Sequence, residues 1–478
     1  MTQTTVVLAT LVVYNGLLIG VGLWARRRNE SVEDFYLAGR RLGPWVAGIS
    51  ASASSSSAWT LLGVSGAAYA WGLPALWLFP ATVLGFLINW AWVAPRLRRL
   101  AAEENAITLS AVVAPESLGD MRNVILRVAA IIIVFSFTFY IASQFEAAGK
   151  AFESAFGLSK QASIFLGAGV VLAYTLLGGF WAVSITDSLQ GLLMALAAIV
   201  LPVYAFLAVG GAAGLAEGLA AAGGASIPSG QFGGITGLIF VLAMFGITVG
   251  YPGQPHVVNR FMALRDETSL RQGRIIALAW AVLVYSGMLL LGLCARVLFA
   301  ELPDAEQVFF ETAQTLMPAV VAGIMLAAVL SAIMSTADSQ ILVASSSISH
   351  DWSLASGGTS DGLARSRLTV VVILVLATIL ALLWRADIFS RVLFAWVALG
   401  AAFGPILVLR LVGRAVSPGG TLGAMLAGFC STLILSWLPD APGDAAERLL
   451  PFVFSFAIAM AASERPIVGR LSAERSIG

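Results

Sequence analysis

The sequence predicts an all-α polytopic membrane protein of thirteen transmembrane helices, built on a five-plus-five inverted-repeat core whose first and sixth core helices are broken. Three observations carry that reading. Of 478 residues, 59% are hydrophobic and 11% charged, with a mean hydropathy of +0.90; a soluble domain of that composition could not bury its apolar surface. The apolar stretches are long enough to cross a ~30 Å hydrocarbon core. Two of them are interrupted at corresponding places in two halves of the chain, which marks a ligand site between inverted membrane repeats.

The spans run 5–25, 43–71, 74–95, 123–150, 160–179, 183–209, 232–258, 272–300, 313–349, 367–385, 389–412, 419–438 and 447–464. Span 5–25 reads as a retained first helix, because Met1 to Thr5 carries no charged side chain and a secretory signal needs a basic start. The next five spans form the first repeat, the following five the second, and the last two lie outside both. The expected divisions are therefore 1–42, 43–209, 210–412 and 413–478. Counting Lys and Arg on alternate sides leaves only Lys150, Lys160, Arg296, Arg385, Arg391 and Arg448 of the 27 on one side. The positive-inside rule then places the amino terminus outside and the carboxyl terminus in the cytoplasm.

Span 43–71 contains Ser52, Ser54, Ser55, Ser56 and Ser57 between apolar flanks. Hydroxyls that bond to nearby backbone compete with regular helix, so a break is expected over Ser52 to Ala58. In span 232–258, Pro252, Gly253 and Pro255 follow an apolar half-helix, and proline both removes a donor and clashes with the preceding turn. Unpaired backbone at membrane depth is tolerated only where protein buries it or a cavity solvates it. Four spans separate the two breaks, so the halves run in opposite directions.

Other chemistry is thinly represented. Cys294 and Cys430 both lie in apolar stretches and suggest neither a disulfide framework nor a thiolate metal site, and His256 and His350 form no metal cluster. With a net charge of +1 and no basic run, no nucleic-acid partner is expected. The partners implied are the lipid bilayer and a small-molecule substrate. Small residues from Gly400 to Gly404 suit close packing, within the core or between protomers alike, and the oligomeric state stays open.

Several motifs, in order along the chain, resemble the sodium/solute symporter family. They are Phe35-Tyr36-Leu37-Ala38-Gly39-Arg40-Arg41; Gly178-Gly179-Phe180-Trp181 leading to Thr186-Asp187-Ser188; Gly250-Tyr251 with Gly253-Gln254-Pro255-His256 and Arg260-Phe261-Met262-Ala263; Ser331-Ala332-Ile333-Met334-Ser335-Thr336; and Phe394-Ala395-Trp396 with Gly400 to Pro405. The match runs from about residue 10 to 460 and is nearest the family's bacterial proline-transporting members. It implies an amino-acid/sodium transporter-like fold in a bacterial inner membrane and sodium-coupled uptake of proline or a related amino acid by alternating access, without enzymatic chemistry. Na+ is the coupling ion expected.

By the same resemblance, sodium would be held by the carbonyls of Ala53, Ser56 and Ala332 and the hydroxyls of Ser335 and Thr336. Helical spacing independently puts Ala332, Ser335, Thr336 and Ser339 within an arc of about 100°, a face equally suited to tight packing. Asp187, Asp338 and Ser339 are the candidates for a second sodium or an ion exit, since a carboxylate at membrane depth is costly unless it works. Glu146 is read as an i,i+4 surface partner of Lys150. The substrate region implied comprises Ser54, Ser55, Ser57, Trp59, Tyr140, Ile247, Tyr251, Gln254 and Trp396. Two positions depart from the proline-transporting relatives: Ser55 stands where they carry an aspartate, and Ile247 where they carry a tryptophan. The first leaves proton coupling as an alternative, the second another small carboxylate or vitamin as substrate. A nutrient sensor on the symporter fold is a further reading.

Overall fold

The computed structural model describes residues 3–25, 37–175, 180–222, 234–352, 355, 362–384, 387–438 and 444–464. Phe35, Tyr36, Gly178, Gly179 and Arg385, used above, lie outside them. The described residues are helical, and their only strand-like pairings are isolated bridges of Leu42 with Leu264 and of Val416 with Ser463. The helices longer than six residues are α1 (Gln3–Ala25), α2 (Pro44–Ser55), α3 (Val64–Trp71), α4 (Leu73–Glu103), α5 (Met121–Phe156), α6 (Lys160–Thr175), α7 (Phe180–Ala208), α8 (Gly211–Ala221), α9 (Gly234–Gly250), α10 (Pro255–Met262), α11 (Glu267–Leu298), α12 (Val308–Leu316), α13 (Ala319–Ser346), α14 (Gly362–Leu383), α15 (Ile388–Leu411), α16 (Pro418–Leu435) and α17 (Ala445–Ala461). Among the described residues, eight stretches are long and apolar enough to cross a membrane: α4, α5, α7, α9 with its following turn, α11, α13 with the turn after it, α15 and α16.

One expected span is divided and one helix is added relative to the hydropathy reading. The expected span 313–349 divides at Met317-Pro318, where both residues are extended and α13 begins at Ala319. Proline disfavours helix in the residue before it, which ends α12 at Leu316. Helix α8 is an addition that hydropathy did not indicate.

The first break is shorter than the serine run. Helix α2 persists through Ser55, and only Ser56 and Ser57 leave helical pairing before a wide turn over Trp59–Gly63 leads into α3. The Ser52 hydroxyl donates to the Gly48 carbonyl at 2.8 Å and the Ser55 hydroxyl to the Ser52 carbonyl at 3.0 Å. Both bonds return to the preceding turn, so these hydroxyls are absorbed without ending the helix. At the second break one tight turn, Tyr251–Gly253, is followed by extended Gln254 and by Pro255 at the first position of α10, where a missing N–H costs nothing.

Helix α2 packs on α7, α10, α11 and α13, while the Tyr251–Gly253 turn lies on α15. The Leu42 amide donates to the Ala263 carbonyl at 3.0 Å and the Arg265 amide to the Leu42 carbonyl at 3.1 Å, joining the entry of α2 to the exit of α10. Beside this junction, Asp266 caps α11; the Ser269 backbone N–H and the Arg265 side chain lower its carboxyl to about 2.

The Gly400 to Gly404 face is used inside the chain, against the second break. A Cβ on Gly253 would lie 2.8 Å from Gly400 Cα, Gly400 O and Gly404 N, all backbone atoms that cannot rotate away. Gly253→Ala is accordingly expected to cost about 1–3 kcal/mol or more and to stop uptake. Gly419→Ala, with nothing within 4 Å of its Cβ, should unfold thermally like the unmodified protein in the same detergent.

Candidate functional site

The two breaks and the middle of α13 enclose a buried polar cluster. The Ser335 hydroxyl stands 3.5 Å from the Ala53 carbonyl and 3.3 Å from the Ala332 carbonyl, and the Thr336 hydroxyl 3.3 Å from the Ser54 carbonyl. A settled O–H···O bond is ~2.7–2.8 Å, so these oxygens face one another across wider gaps. The Ala53 carbonyl also accepts the Ser56 amide at 3.2 Å. The Ser56 hydroxyl lies 3.3 Å from that of Tyr285, which accepts from Thr60 at 3.2 Å. The break thus gathers carbonyls and hydroxyls from α2 and α13, a donor set suited to a hard cation.

One turn away, Asp187 of α7 is wholly buried. Its Oδ2 accepts from Arg260 Nη2 at 2.6 Å, Ser50 at 2.9 Å, Ser54 at 3.1 Å and Ser339 at 3.3 Å. Arg260 projects from α10 and also reaches Ser339 at 2.6 Å, Ser50 at 2.8 Å and the His256 carbonyl. Its side chain is 1% exposed and that of Asp187 0%. Sequence reasoning counted Arg260 as a loop charge. The available signal was its place five residues after Pro255, in the motif Arg260-Phe261-Met262-Ala263; all eight residues of this half-helix are buried. Asp338 lies near the Tyr14 hydroxyl, which bonds Ser331.

The aromatic residues gather around the breaks. The Tyr251 and Trp396 rings meet edge-on at 4.8 Å, and Tyr251 lies 5.4 Å from Phe86. Trp396 Nε1 donates to the Ile247 carbonyl at 3.1 Å, and Gln254 Nε2 donates to the Trp396 carbonyl at 2.8 Å and the Gly250 carbonyl at 3.1 Å. Ile247 therefore meets Trp396 through its backbone, whatever its side chain. Ser57 Oγ accepts from Tyr140 at 3.2 Å and from the Trp59 amide at 3.1 Å, leaving its own proton to donate. The Ala58 amide is satisfied by Gln144 Oε1 at 3.1 Å. Trp59 leans on Tyr285 and Phe389. His256 lies among Phe137, Tyr140 and Trp396. Ser55 turns to its own helix. Every expected substrate-region residue is 5% exposed or less. His256, Tyr285 and Gln144 are the members that sequence reasoning missed.

The Glu146–Lys150 pairing is replaced. Lys150 binds Asp304 at 2.5 Å and Glu306 at 2.6 Å, while buried Glu146 binds Lys160 at 2.5 Å. Glu306 also accepts the Ile388 and Phe389 amides at 3.1 and 2.9 Å, capping α15. Burial raises its carboxyl above the ordinary range despite Lys150. Two carboxylates brought in by the connection after α11 outcompete one a turn away on the same helix.

Two broken half-helix pairs around a buried polar cluster, in a multi-pass helical membrane protein, define the class of broken-helix transporters. The family model for the sodium:solute symporter family matches residues 35–428. The chain belongs to that family. It is 34% identical over 472 residues to a sodium/proline symporter of Salmonella typhimurium, covering 95% of this chain and 92% of the relative. It is likewise 34% identical over 437 residues to the osmoregulated proline transporter OpuE of Bacillus subtilis, covering 90% and 88%. Among solved structures, a substrate-bound, outward-open Na+-coupled sialic acid symporter superposes with a TM-score of 0.79 at 16% identity, covering 96% of this chain and 99% of that one. A nucleobase-cation-symport-1 family transporter in a closed conformation superposes at 0.56, with 12% identity over 90% and 94%. These likenesses concern the fold.

Proposed function

We propose that the protein carries proline, or an amino acid close to it, across a bacterial inner membrane together with one sodium ion. The observation that carries the reading is the set of long hydroxyl–carbonyl contacts between α2 and α13, at Ser335 to Ala53 and Thr336 to Ser54. Sodium would be held there by the carbonyls of Ala53, Ser56 and Ala332 and the hydroxyls of Ser335 and Thr336. The solute would lie between the breaks, with its carboxylate toward the Ser57 hydroxyl and its apolar part against Trp59, Tyr140, Tyr251 and Trp396. Ser54, Ser55, Ile247 and Gln254 shape that space.

A second sodium at Asp187, Asp338 and Ser339 is disfavoured in this reading, because the Arg260 guanidinium already neutralises Asp187 and occupies Ser339. The thirteen helices would form two inverted repeats, 43–209 and 210–412, flanked by 1–42 and 413–478, with the amino terminus outside. Sodium would order the Ala53 to Ser57 break and improve solute affinity, and the solute would improve sodium affinity by the same factor. One charge moving inward through 100 mV supplies ~2.3 kcal/mol and a tenfold gradient ~1.4, together enough for roughly 500-fold accumulation.

The test is labelled proline uptake into liposomes, with an amino-acid competitor panel, under an inward sodium gradient and under a matched potassium gradient at equal voltage. Accumulation only with sodium is the expected result. Uptake that ignores sodium and follows an imposed pH gradient would replace sodium by a proton, and silence under both would remove proline.

A further inference from the structure

We propose that a crevice between α5, α14, α15, α16 and α17 is a binding site for one membrane phospholipid. Arg391 holds the anionic headgroup there, and an acyl chain lies along an apolar wall. The crevice encloses about 780 Å³. Phe135, Phe139, Leu393, Phe394 and Leu433 form its wall, with Arg391, Arg448, Asp444 and Glu447 toward one end.

Arg391 is 2% exposed, yet its Nε, Nη1 and Nη2 make no hydrogen bond. Glu146 Oε2 faces it at 3.8 Å, too far for a hydrogen bond, while Oε1 binds Lys160 at 2.5 Å, and the Trp384 ring lies 5.8 Å from the guanidinium. Asp387, four residues before it, accepts instead from the Ser390 amide at 2.7 Å and hydroxyl at 3.1 Å. Arg448, by contrast, is paired with Asp444 at 2.8 Å. A buried guanidinium presents five donors in a planar fork, and leaving them unmatched is costly. A phosphate diester matches that fork with two oxygens.

The geometry selects a lipid over free phosphate or a small solute. Glu146 marks the level of Arg391 on α5, and Phe135 lies eleven residues earlier, ~16 Å away by helical rise. That is half of a ~30 Å hydrocarbon core, the depth of one leaflet's chains, and the wall over this distance is aromatic and aliphatic. Trp437, which also lines the crevice, is 88% exposed, as suits an indole at the membrane interface.

The experiment is native mass spectrometry of the full chain released from detergent. Phosphatidylglycerol, a diacylglycerol of the same chains, and inorganic phosphate with no lipid are each offered to the unmodified protein, Arg391→Gln and Leu433→Trp. One retained phosphatidylglycerol is expected in the unmodified protein, bound about tenfold or more weakly by Arg391→Gln, since a hydrogen bond to a charged group is lost. Leu433→Trp fills the wall, keeps the arginine and should lose the lipid as well, so the test survives if Arg391→Gln fails to fold. Equal retention by the unmodified protein and the folded variants would overturn the proposal. So would equal binding of the headless diacylglycerol, or binding of phosphate alone that matches the lipid.

Discussion

Arg260→Ala is expected to lower stability by about 3–5 kcal/mol and to abolish uptake. The substitution leaves Asp187 with its hydroxyl donors Ser50, Ser54 and Ser339 but no countercharge, in a place where neither partner is more than 1% exposed. An uncompensated buried charge is penalised far more than an absent pair is missed. The combined Arg260→Met and Asp187→Leu substitutions should therefore recover most of the lost stability. They should not recover transport, because the pair ties α10 beyond the second break to α7 and to the serines of α2. Thermal unfolding in detergent, alongside liposome uptake, separates the two effects. A single Arg260→Ala protein that unfolds at the normal temperature would show that the ion pair does not hold the breaks together.

Ser335→Ala and Thr336→Ala are each expected to raise the sodium concentration for half-maximal uptake about tenfold to a hundredfold, the value of a hydrogen-bond-like ligand to a charge, ~1.5–3 kcal/mol. Apparent proline affinity should fall at low sodium and return toward normal at saturating sodium, because sodium and solute are linked. Ser331→Ala removes a hydroxyl from the same helix on the side that meets Tyr14, and its sodium response should match that of the unmodified protein. A normal sodium response in Ser335→Ala and Thr336→Ala would move the ion away from α13. Both folded variants must first elute as the unmodified protein does.

What could be read from the sequence was whatever depends on local chemistry. Hydropathy sufficed for the long helices, because a membrane span needs about twenty apolar residues wherever it packs. Pro252 and Pro255 were enough for the second break, since proline stops a helix by covalent geometry. The serine run placed the first break only loosely. Whether a hydroxyl ends a helix depends on which carbonyl it reaches, and Ser52 and Ser55 return to their own turn while Ser56 reaches Tyr285. Ser335, Thr336 and Ser339 shared a face by helical spacing alone; spacing could not say that α2 lies across that face.

Only the tertiary structure decided the charge partners and the close approaches. Glu146 and Lys150 satisfy the i,i+4 rule, yet each takes a stronger partner from another element. Arg260 reads as one more basic residue after a span until α10 carries it into the cluster around Asp187. Gly400 to Gly404 would suit a protomer interface as well as a core until the backbone of Gly253 is seen against them. Helix, break and span follow from interactions within a few residues. Ion pairs and backbone contacts between elements far apart in the chain exist only once the helices have packed, and the burial that makes them strong is created by the same packing.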